Sequence, residues 1–452
     1  MINHMKVNDV NRAEKNSDSS IFSLLFFAII AVRFCVTVIS HCITSGNPLY
    51  ISKIGEPSYY GGILVASFMI ASIGTRILSG ALVDIFSRKR IIFLGSLFVL
   101  SGSLISIPFS SLFVHILGCV LQGIGFSMLH TAVTSATADV LPTKRLGEGI
   151  SYAALGQSLG MAIGPSVALW LIGFEFNNAL SIGTAVTATL AFILGFTVRY
   201  EKHPERLPKT AGYRIAWEAR QASRTERKNK IPPINNTRDD FIKHGECPDL
   251  EKALLIQEPK KNRFFEKKAL HGALPMLFVG IGVSVFFSYT ALFAKNVGYE
   301  NPSVFFISAA TATVVIRLFF SRFFNTSNLR ILFFIPIICG ITALLGVYFI
   351  RNEIVFGILG IGHGIGIGMS VPILNSVAVS MSPPDRIGPA NALFYLMYDA
   401  GTAIGALLWG FLFSSSGFML IFIFAAVSYL IAYLISLKLF PYSLSSIPHI
   451  TD

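Results

Sequence analysis

GALVDIFSRKR, at residues 80–90, joins two long apolar runs of the chain. A carboxylate, Asp84, is followed within this segment by three cations, Arg88, Lys89 and Arg90. A short charged loop between two apolar runs is typical of membrane helices that meet at a bilayer surface, where Lys and Arg accumulate on the cytoplasmic side. The segment therefore predicts a polytopic membrane protein. In the simplest interpretation, its cations are only a topology signal.

The composition agrees with a membrane protein. Of 452 residues, 53% are hydrophobic and 13% are charged, whereas soluble domains have about 25% charged residues. The net charge of +12 lies in the termini, the short loops and one central segment, which favours contact with anionic lipid headgroups over nucleic acid. The five cysteines show neither metal-ligand spacing nor a disulfide framework, and residues 1–20 lack signal-peptide features. We therefore expect no cofactor, no metal and no nucleic-acid partner.

Twelve apolar runs have about the 20 residues that cross a bilayer. The predicted spans are 21–44, 59–82, 90–108, 111–136, 149–172, 178–199, 269–294, 303–324, 329–350, 353–380, 387–413 and 415–439. The loops at 88–90 and 144–145 are basic, whereas the alternate loops hold few cations. Both termini are therefore predicted to be cytoplasmic.

The spans divide the chain into five predicted parts. These are a cytoplasmic N-terminal tail at 1–20, a six-helix bundle at 21–199, a cytoplasmic basic linker at 200–268, a second six-helix bundle at 269–439 and a cytoplasmic tail at 440–452. The linker holds seventeen Lys and Arg and eleven Asp and Glu. Its residues 211–228 have the pattern of a basic amphipathic helix that lies on the membrane or on the loops beneath the bundle.

A constant offset of 241 residues relates the two bundles. It aligns Arg76 with Arg317, and Asp84 with Asn325. It also aligns Gly123 and Gly125 with Gly364 and Gly366, Pro142, Arg145 and Gly147 with Pro383, Arg386 and Gly388, and Gly160 and Gly164 with Gly401 and Gly405. Apolar runs alone would not preserve prolines, glycines and an intramembrane arginine together, so we expect two structural repeats.

Residues 80–90 resemble the loop signature of the major facilitator superfamily, approximately G-x-L-x-D-R-x-G-R-[KR]. The matching residues are Gly80, Leu82, Asp84, Arg88 and Lys89, whereas Ile85 and Ser87 stand where a cation and a glycine are usual. The resemblance implies an all-α fold of twelve transmembrane helices in two pseudo-symmetric six-helix bundles. It also implies a monomer that works by alternating access around a midplane site.

The same resemblance implies a cytoplasmic gate. Asp84 would face the N-terminus of the eleventh helix, where a carboxylate meets a partial positive charge. Gly80 would allow the two helices to approach closely, and Arg88 and Lys89 would steady the loop.

The fifth span carries Gly156, Gly160, Gly164 and Pro165. Glycines four residues apart share one helix face and admit a neighbouring helix, and the proline bends the helix. The pattern resembles a signature of the exporting, proton-antiporting branches of the superfamily, although its usual glycine-rich ending is absent. Plain helix packing is the alternative interpretation.

The fourth span resembles the superfamily's R-x-x-Q-G-x-G helix, with Cys119 in place of the arginine that often takes part in proton coupling. Another group must then supply the charge. Arg33 and Asp399 each lie near the middle of an apolar span, where a charge costs roughly 2.5–3.5 kcal/mol and normally faces a cavity or a partner. We expect both to reach a central cavity and to pair directly, or through water or substrate. A purely structural ion pair is the alternative.

Further polar residues of the spans are candidates for the same cavity. His130 and His363 titrate near neutral pH and could carry a proton, or could be neutral packing residues. Gln122 suits substrate hydrogen bonding or helix packing. The aligned pair Arg76 and Arg317 is expected near the cytoplasmic helix ends, where snorkelling to the headgroups favours a structural or gating role.

These features together predict a secondary transporter of the plasma membrane, the inner membrane in a bacterium. No nucleotide-binding loop occurs, so an ion gradient, most simply of protons, would drive transport. The predicted activity is export of a small organic molecule, such as a drug-like compound or a secreted metal-chelating metabolite, with an anionic or zwitterionic substrate favoured. A proton-coupled importer of a sugar or organic anion is the alternative. A non-transporting sensor or a membrane enzyme is more remote, because the sequence shows no clustered catalytic residues.

Overall fold

The computed structural model describes residues 23–85, 87–107, 111–141, 146–176, 178–198, 266–320, 328–383 and 387–440, with isolated positions at 207, 214, 217, 218 and 221. Its secondary structure is helical, and the described residues contain no β-strand. The predictions for the N-terminal tail, for most of the linker and for the C-terminal tail beyond residue 440 lie outside the described residues.

Six helices form the N-terminal half of the chain. They are α1 (Leu24–Lys53), α2 (Tyr59–Ile85), α3 (Arg88–Ile105), α4 (Leu112–Val140), α5 (Leu146–Ile172) and α6 (Ala179–Gly195). Helix α3 begins two residues before the predicted span because Ser87 caps it: the Ser87 Oγ accepts a hydrogen bond from the Arg90 amide at 3.2 Å. Ser87, one of the two residues that depart from the loop signature, therefore has a local structural role.

The C-terminal half continues the pattern. Its helices are α7 (Leu270–Ser288), α8 (Thr290–Val297), α9 (Ser303–Phe320), α10 (Leu329–Phe349), α11 (Glu353–Ser380), α12 (Ile387–Ser416) and α13 (Phe418–Leu439). A 3-10 turn at Lys267–Ala269 precedes α7. Tyr289 interrupts the seventh predicted span with non-helical dihedral angles, so α7 and α8 together occupy it.

Eight helical segments among the described residues are long and apolar enough to cross a membrane. They are Leu24–Lys53, Leu112–Val140, Leu155–Ile172, Lys267–Val297, Leu329–Phe349, Glu353–Ser380, Ala390–Ser416 and Phe418–Leu439. Ala179–Gly195 and Ser303–Arg317 are shorter apolar helices. This is the pattern of a multi-pass membrane protein.

Two helix pairs provide most of the packing between the halves. Helix α2 packs along α12, and α5 packs along α9. At the offset of 241 residues, α2 aligns with α9, and α5 aligns with α12. The two contacts are therefore equivalent in the predicted repeat. Helix α1 also contacts α7, and the space enclosed by these helices contains the candidate site.

Candidate functional site

A cavity of about 80 Å³ lies between the halves. This is the volume that the centre of a water-sized sphere can occupy, and one water molecule needs roughly 10–15 Å³ of it, so the cavity has room for about five to eight waters. Apolar walls come from residues such as Met69, Phe126, Met161, Met276 and Phe287. The lining groups with charge or hydrogen-bonding capacity include His41, Arg76, His130, Gln157, Arg317, Tyr395, Tyr398 and Asp399.

An ion pair crosses this cavity from one half to the other. Arg76 Nη2 of α2 lies 2.6 Å from Asp399 Oδ2 of α12, and both side chains are at most 10% exposed. His130 of α4 completes the group, with its Nδ1 3.4 Å from Arg76 Nη1. The short distance and low exposure make this a charge-assisted contact in a poorly solvated place.

This pairing corrects the predicted roles of two arginines. Asp399 pairs with Arg76 and not with Arg33, which binds within the N-terminal half. Arg33 Nη2 donates to Gln157 Oε1 at 3.1 Å, and its Nη1 donates to Thr134 Oγ1 at 3.3 Å. Depth along a helix is readable from sequence, but the rotational position that selects the partner is not.

Arg317 occupies the corresponding place on α9. Its Nη1 donates to the Ser158 Oγ of α5 at 3.1 Å, so this contact also joins the two halves. Arg76 and Arg317 both line the cavity, and Arg317 lies in the last turn of α9. Both guanidinium groups therefore make contacts between the two halves.

Gln122 does not line the central cavity. It is buried within the N-terminal half, where its Nε2 donates to Ser103 Oγ at 2.9 Å. A second, smaller pocket brings it together with Asn47, His115 and Cys119. In this structure Gln122 therefore takes part in a neutral polar cluster of the N-terminal half.

The two predicted histidines also separate. His130 lines the cavity. His363 is 3% exposed and packs among aromatic rings, with its ring centroid 3.8 Å from that of Phe286 and 5.9 Å from that of Phe305. It is not among the residues that line the cavity in this structure. The glycines of α11 let α9 approach so closely that His363 is enclosed by packing.

The charged loop is described in part. Arg88 is buried, and its Nε lies 3.0 Å from Asp139 Oδ2 at the end of α4. Lys89 Nζ lies 5.4 Å from the centre of the Phe93 ring, a cation–π distance. The backbone at Gly80 and Asp84 is helical, but the surroundings of Gly80 and the side chain of Asp84, and with them the predicted gate contact, are not described.

The glycines of α5 face α1. A Cβ atom added to Gly156, Gly160 or Gly164 would lie 2.6–2.8 Å from atoms of Ile30, Thr37 and His41 respectively. Substitution at these positions would force the two helices apart. Pro165 follows within the same helix.

One end of the space between the halves is closed. A Cβ atom added to Gly62 of α2 would lie 2.5 Å from the Ala406 carbonyl oxygen of α12. The Tyr59 and Phe411 rings stack beside it, with centroids 6.0 Å apart and an interplanar angle of 1°. The start of α2 and the end of α12 therefore form a tight seal.

Sequence reasoning missed several cavity residues, among them His41, Gln157, Tyr395 and Tyr398. All are uncharged or weakly polar residues of apolar spans and give no signal by themselves. One signal was present: the 241-residue offset that aligns the two arginines also aligns Ser158 with Asp399. These are the residues that the two arginines contact.

A family model described as Major Facilitator Superfamily matches residues 22–388 and 330–450. The chain belongs to the major facilitator superfamily. This confirms the resemblance inferred from residues 80–90, and the chain is a multi-pass protein of the plasma membrane.

Relatives and structures agree with this assignment. Multidrug resistance protein 2 of Bacillus subtilis is 30% identical over 147 residues, which cover 31% of this chain and 36% of that protein. The staphylopine export protein of Staphylococcus aureus is 19% identical over 80% of this chain and 83% of its own length. The crystal structure of the peptide transporter POT in complex with sulfate superposes with a TM-score of 0.66 over 94% of this chain and 98% of that chain. At 16% identity, this last likeness shows the fold alone.

Proposed function

We propose that this superfamily member is a secondary active transporter with twelve transmembrane helices in two six-helix bundles and both termini in the cytoplasm. It exports a small organic molecule in exchange for protons by alternating access. The observation that carries the proposal is the Arg76–Asp399 ion pair, which joins the two halves inside a central cavity.

The placement of this pair suits a transporter. Buried charges inside a membrane are costly and usually mark substrate or ion pathways, and transporters of this architecture bind substrate where their repeats meet. When the halves rock apart, the Arg76–Asp399 contact must break. Arg76 then contacts water or substrate, and Asp399 contacts water or substrate or takes up a proton. The ion pair therefore couples the occupancy of the cavity to its conformation.

The titratable groups at the site support protons as the coupling ion. Asp399 is the single carboxylate among the described residues that line the cavity, and His130 lies on the other side of Arg76. A proton on Asp399 would neutralise the carboxylate and release Arg76. This sequence of events converts proton binding into separation of α2 from α12.

Two observations support export over import. Relatives of this chain are named as a multidrug resistance protein and an export protein. The glycines of α5, which resemble the signature of proton-antiporting branches, pack tightly on α1. In the proposed topology, the sealed end near Gly62 faces away from the cytoplasm; exporters and importers both pass through this conformation, so it does not bear on direction.

The proposed gate at Asp84 completes the cycle on the cytoplasmic side. It would close when the seal at Gly62 opens, while the contacts of Arg88 with Asp139 and of Lys89 with Phe93 hold the start of α3 in place. We carry over Gly80 and Asp84 to this role from the loop signature.

The test is untargeted small-molecule profiling of cytoplasm and medium, in cells with and without the gene. We expect a compound that accumulates inside the deletion cells and is depleted outside. Complementation with Arg351→Gln serves as a control, because this cation lies against Phe293 and Tyr348, away from the cavity. A compound that stays unused in the medium of deletion cells would reverse the direction, and unchanged pools under several growth conditions would contradict transport.

A further inference from the structure

The side chain of His41, on α1, forms part of the wall of the central cavity. Its Nδ1 is buried and has no hydrogen-bond partner among the described residues. Buried polar atoms of proteins are normally hydrogen-bonded, so an exception in the wall of a cavity needs an explanation. The simplest explanation is that this nitrogen bonds to a molecule that enters the cavity.

Packing from both halves of the chain holds the imidazole in place. Its ring centroid lies 4.3 Å from that of Phe287 of α7, with an interplanar angle of 48°. At the backbone end of the side chain, a Cβ atom added to Gly164 of α5 would lie 2.6 Å from the Cβ of His41. His41 is therefore wedged between α5 of the N-terminal half and α7 of the C-terminal half.

Two hydroxyl groups of the cavity wall already have other hydrogen bonds. Thr44 Oγ1 donates to the backbone carbonyl oxygen of His41 at 3.3 Å. Ser284 Oγ donates to the Ile281 carbonyl oxygen at 2.7 Å and accepts from Trp409 Nε1, also at 2.7 Å. These bonds direct both hydroxyls to helix backbone and to the indole, so neither hydroxyl bonds to the imidazole.

His41 and the ion pair lie at different levels of the bundle. A Cβ atom added to Gly280 of α7 would lie 2.7 Å from the Tyr398 carbonyl oxygen, so Gly280 stands beside Asp399, the next residue of α12. Phe287, which contacts His41, follows Gly280 by seven residues in the same helix. At about 1.5 Å per residue, the two levels are roughly 10 Å apart. The cavity therefore has a charged end and a neutral polar end.

We propose that His41 binds a neutral hydroxyl group of the transported molecule, while the charged part of that molecule lies at the Arg76–Asp399 pair. A neutral imidazole has one donor and one acceptor nitrogen, and a hydroxyl both donates and accepts, so it suits either nitrogen. His41 thus selects substrates at the end of the cavity that is distant from the charges. The inference rests on the proposed transport function and names its substrate class.

The ion pair and the apolar wall define the rest of the substrate. Arg76 and Asp399 carry opposite charges, so after they separate each can bind one charge of a zwitterionic head group. Met69, Met161 and Phe126 also line the cavity, and their polarisable sulfur atoms and ring suit an aromatic body. The cavity therefore favours an aromatic zwitterion with a hydroxyl group at the end opposite to its charges.

The experiment measures ligand-induced thermal stabilisation of the purified full-length protein by two matched amino acids. L-tyrosine carries the hydroxyl group, and 4-methyl-L-phenylalanine has a methyl group of similar size in its place. We expect L-tyrosine to bind at least about tenfold more tightly, because the methyl group leaves the imidazole unpaired. Equal affinity for the two probes, or no response to L-tyrosine at millimolar concentration, would overturn the proposal.

Variants test whether His41 causes this preference. His41→Leu removes both ring nitrogens, so the two probes should bind within about twofold of each other, with the affinity for 4-methyl-L-phenylalanine retained. His41→Gln keeps a donor and an acceptor and should recover part of the preference. His41→Phe replaces His41→Leu in the test if the latter fails to fold.

A histidine outside the cavity provides the matched control. His271 Nδ1 donates to the Lys268 carbonyl oxygen at 2.8 Å near the start of α7, and His271 is not among the residues that line the cavity. His271→Leu should therefore keep the wild-type preference for L-tyrosine. A full preference that survives in both His41→Leu and His41→Phe would contradict the proposal.

Failure of the inference and failure of the transport proposal are distinguishable. If gene-dependent export is found and His41→Leu moves the compound at the wild-type rate, the transporter stands and the role of His41 falls. If L-tyrosine binds through His41 and no compound is moved in either direction, the site stands and the transport proposal falls.

Discussion

Two buried ion pairs of this molecule differ in what they connect. Arg76–Asp399 joins α2 to α12 and so holds the N-terminal half against the C-terminal half, with the two atoms 2.6 Å apart. Arg88–Asp139 joins α3 to α4 within the N-terminal half, with the two atoms 3.0 Å apart. Both pairs have side chains that are at most 10% exposed.

The location of a buried ion pair decides whether its loss lowers the stability of the protein or the rate of transport. Removing one partner from a buried ion pair is costly, about 3–5 kcal/mol, because the other charge stays buried. Within one half, no movement separates the partners, so the cost appears as lost stability. Between halves, the proposed alternating access would separate the partners in every cycle, so we expect the cost to appear in the energetics of transport.

The largest expected effect belongs to the pair between the halves. Asp399→Asn should lower the rate of gene-dependent export at least about 100-fold, or about 2.7 kcal/mol, because Arg76 loses the charge that it must release and recover. Export is measured per molecule of protein in the membrane. Glu353→Gln is the matched control, since this carboxylate binds the Asn301 amide outside the cavity, and it should stay within about twofold of wild type. Wild-type export by Asp399→Asn would exclude any role of the ion pair.

The pair within the N-terminal half should behave in the opposite way. Asp139→Asn is expected to lower the free energy of unfolding by about 3 kcal/mol, because Arg88 stays buried beside a neutral amide. The melting temperature in detergent should fall, while export per folded molecule stays within about threefold. Full thermal stability combined with lost export would remove the distinction between the two pairs.

The smallest effect is expected at the neutral polar cluster around Gln122. Gln122→Met keeps the volume and removes a single hydrogen bond to Ser103, worth about 1 kcal/mol or less inside a membrane bundle. Export should stay within about twofold, and the melting temperature should change by little. A tenfold loss of export would return Gln122 to the substrate path.

The fold was largely predictable because its signals are local. Each apolar run of the required length contains helix, and the loop at residues 80–90 identified the superfamily. Cap residues adjust the helix ends, as Ser87 does for α3. The glycines of α5 predict a close contact with a neighbouring helix, and in the structure that helix is α1.

The site was less predictable because it depends on helix rotation and on distant partners. The sequence marks Arg33 and Asp399 as charges inside apolar spans, yet the partner of Asp399 in the structure is Arg76. Residues such as Tyr398 and Gln157 carry no charge pattern that marks them. The repeat register holds the signal that identifies the partners: it aligns Arg76 with Arg317, and it aligns Ser158 with Asp399.

A double-mutant cycle on the Arg76–Asp399 pair tests the central claim most directly. Export of the gene-dependent compound is compared among wild type, Arg76→Gln, Asp399→Asn and the double variant, each normalised to protein in the membrane. If the two side chains act as one unit between the halves, the double variant should export no more slowly than the slower single variant. If their losses multiply, to about 10⁴-fold for two 100-fold single effects, the residues act independently and the account is contradicted.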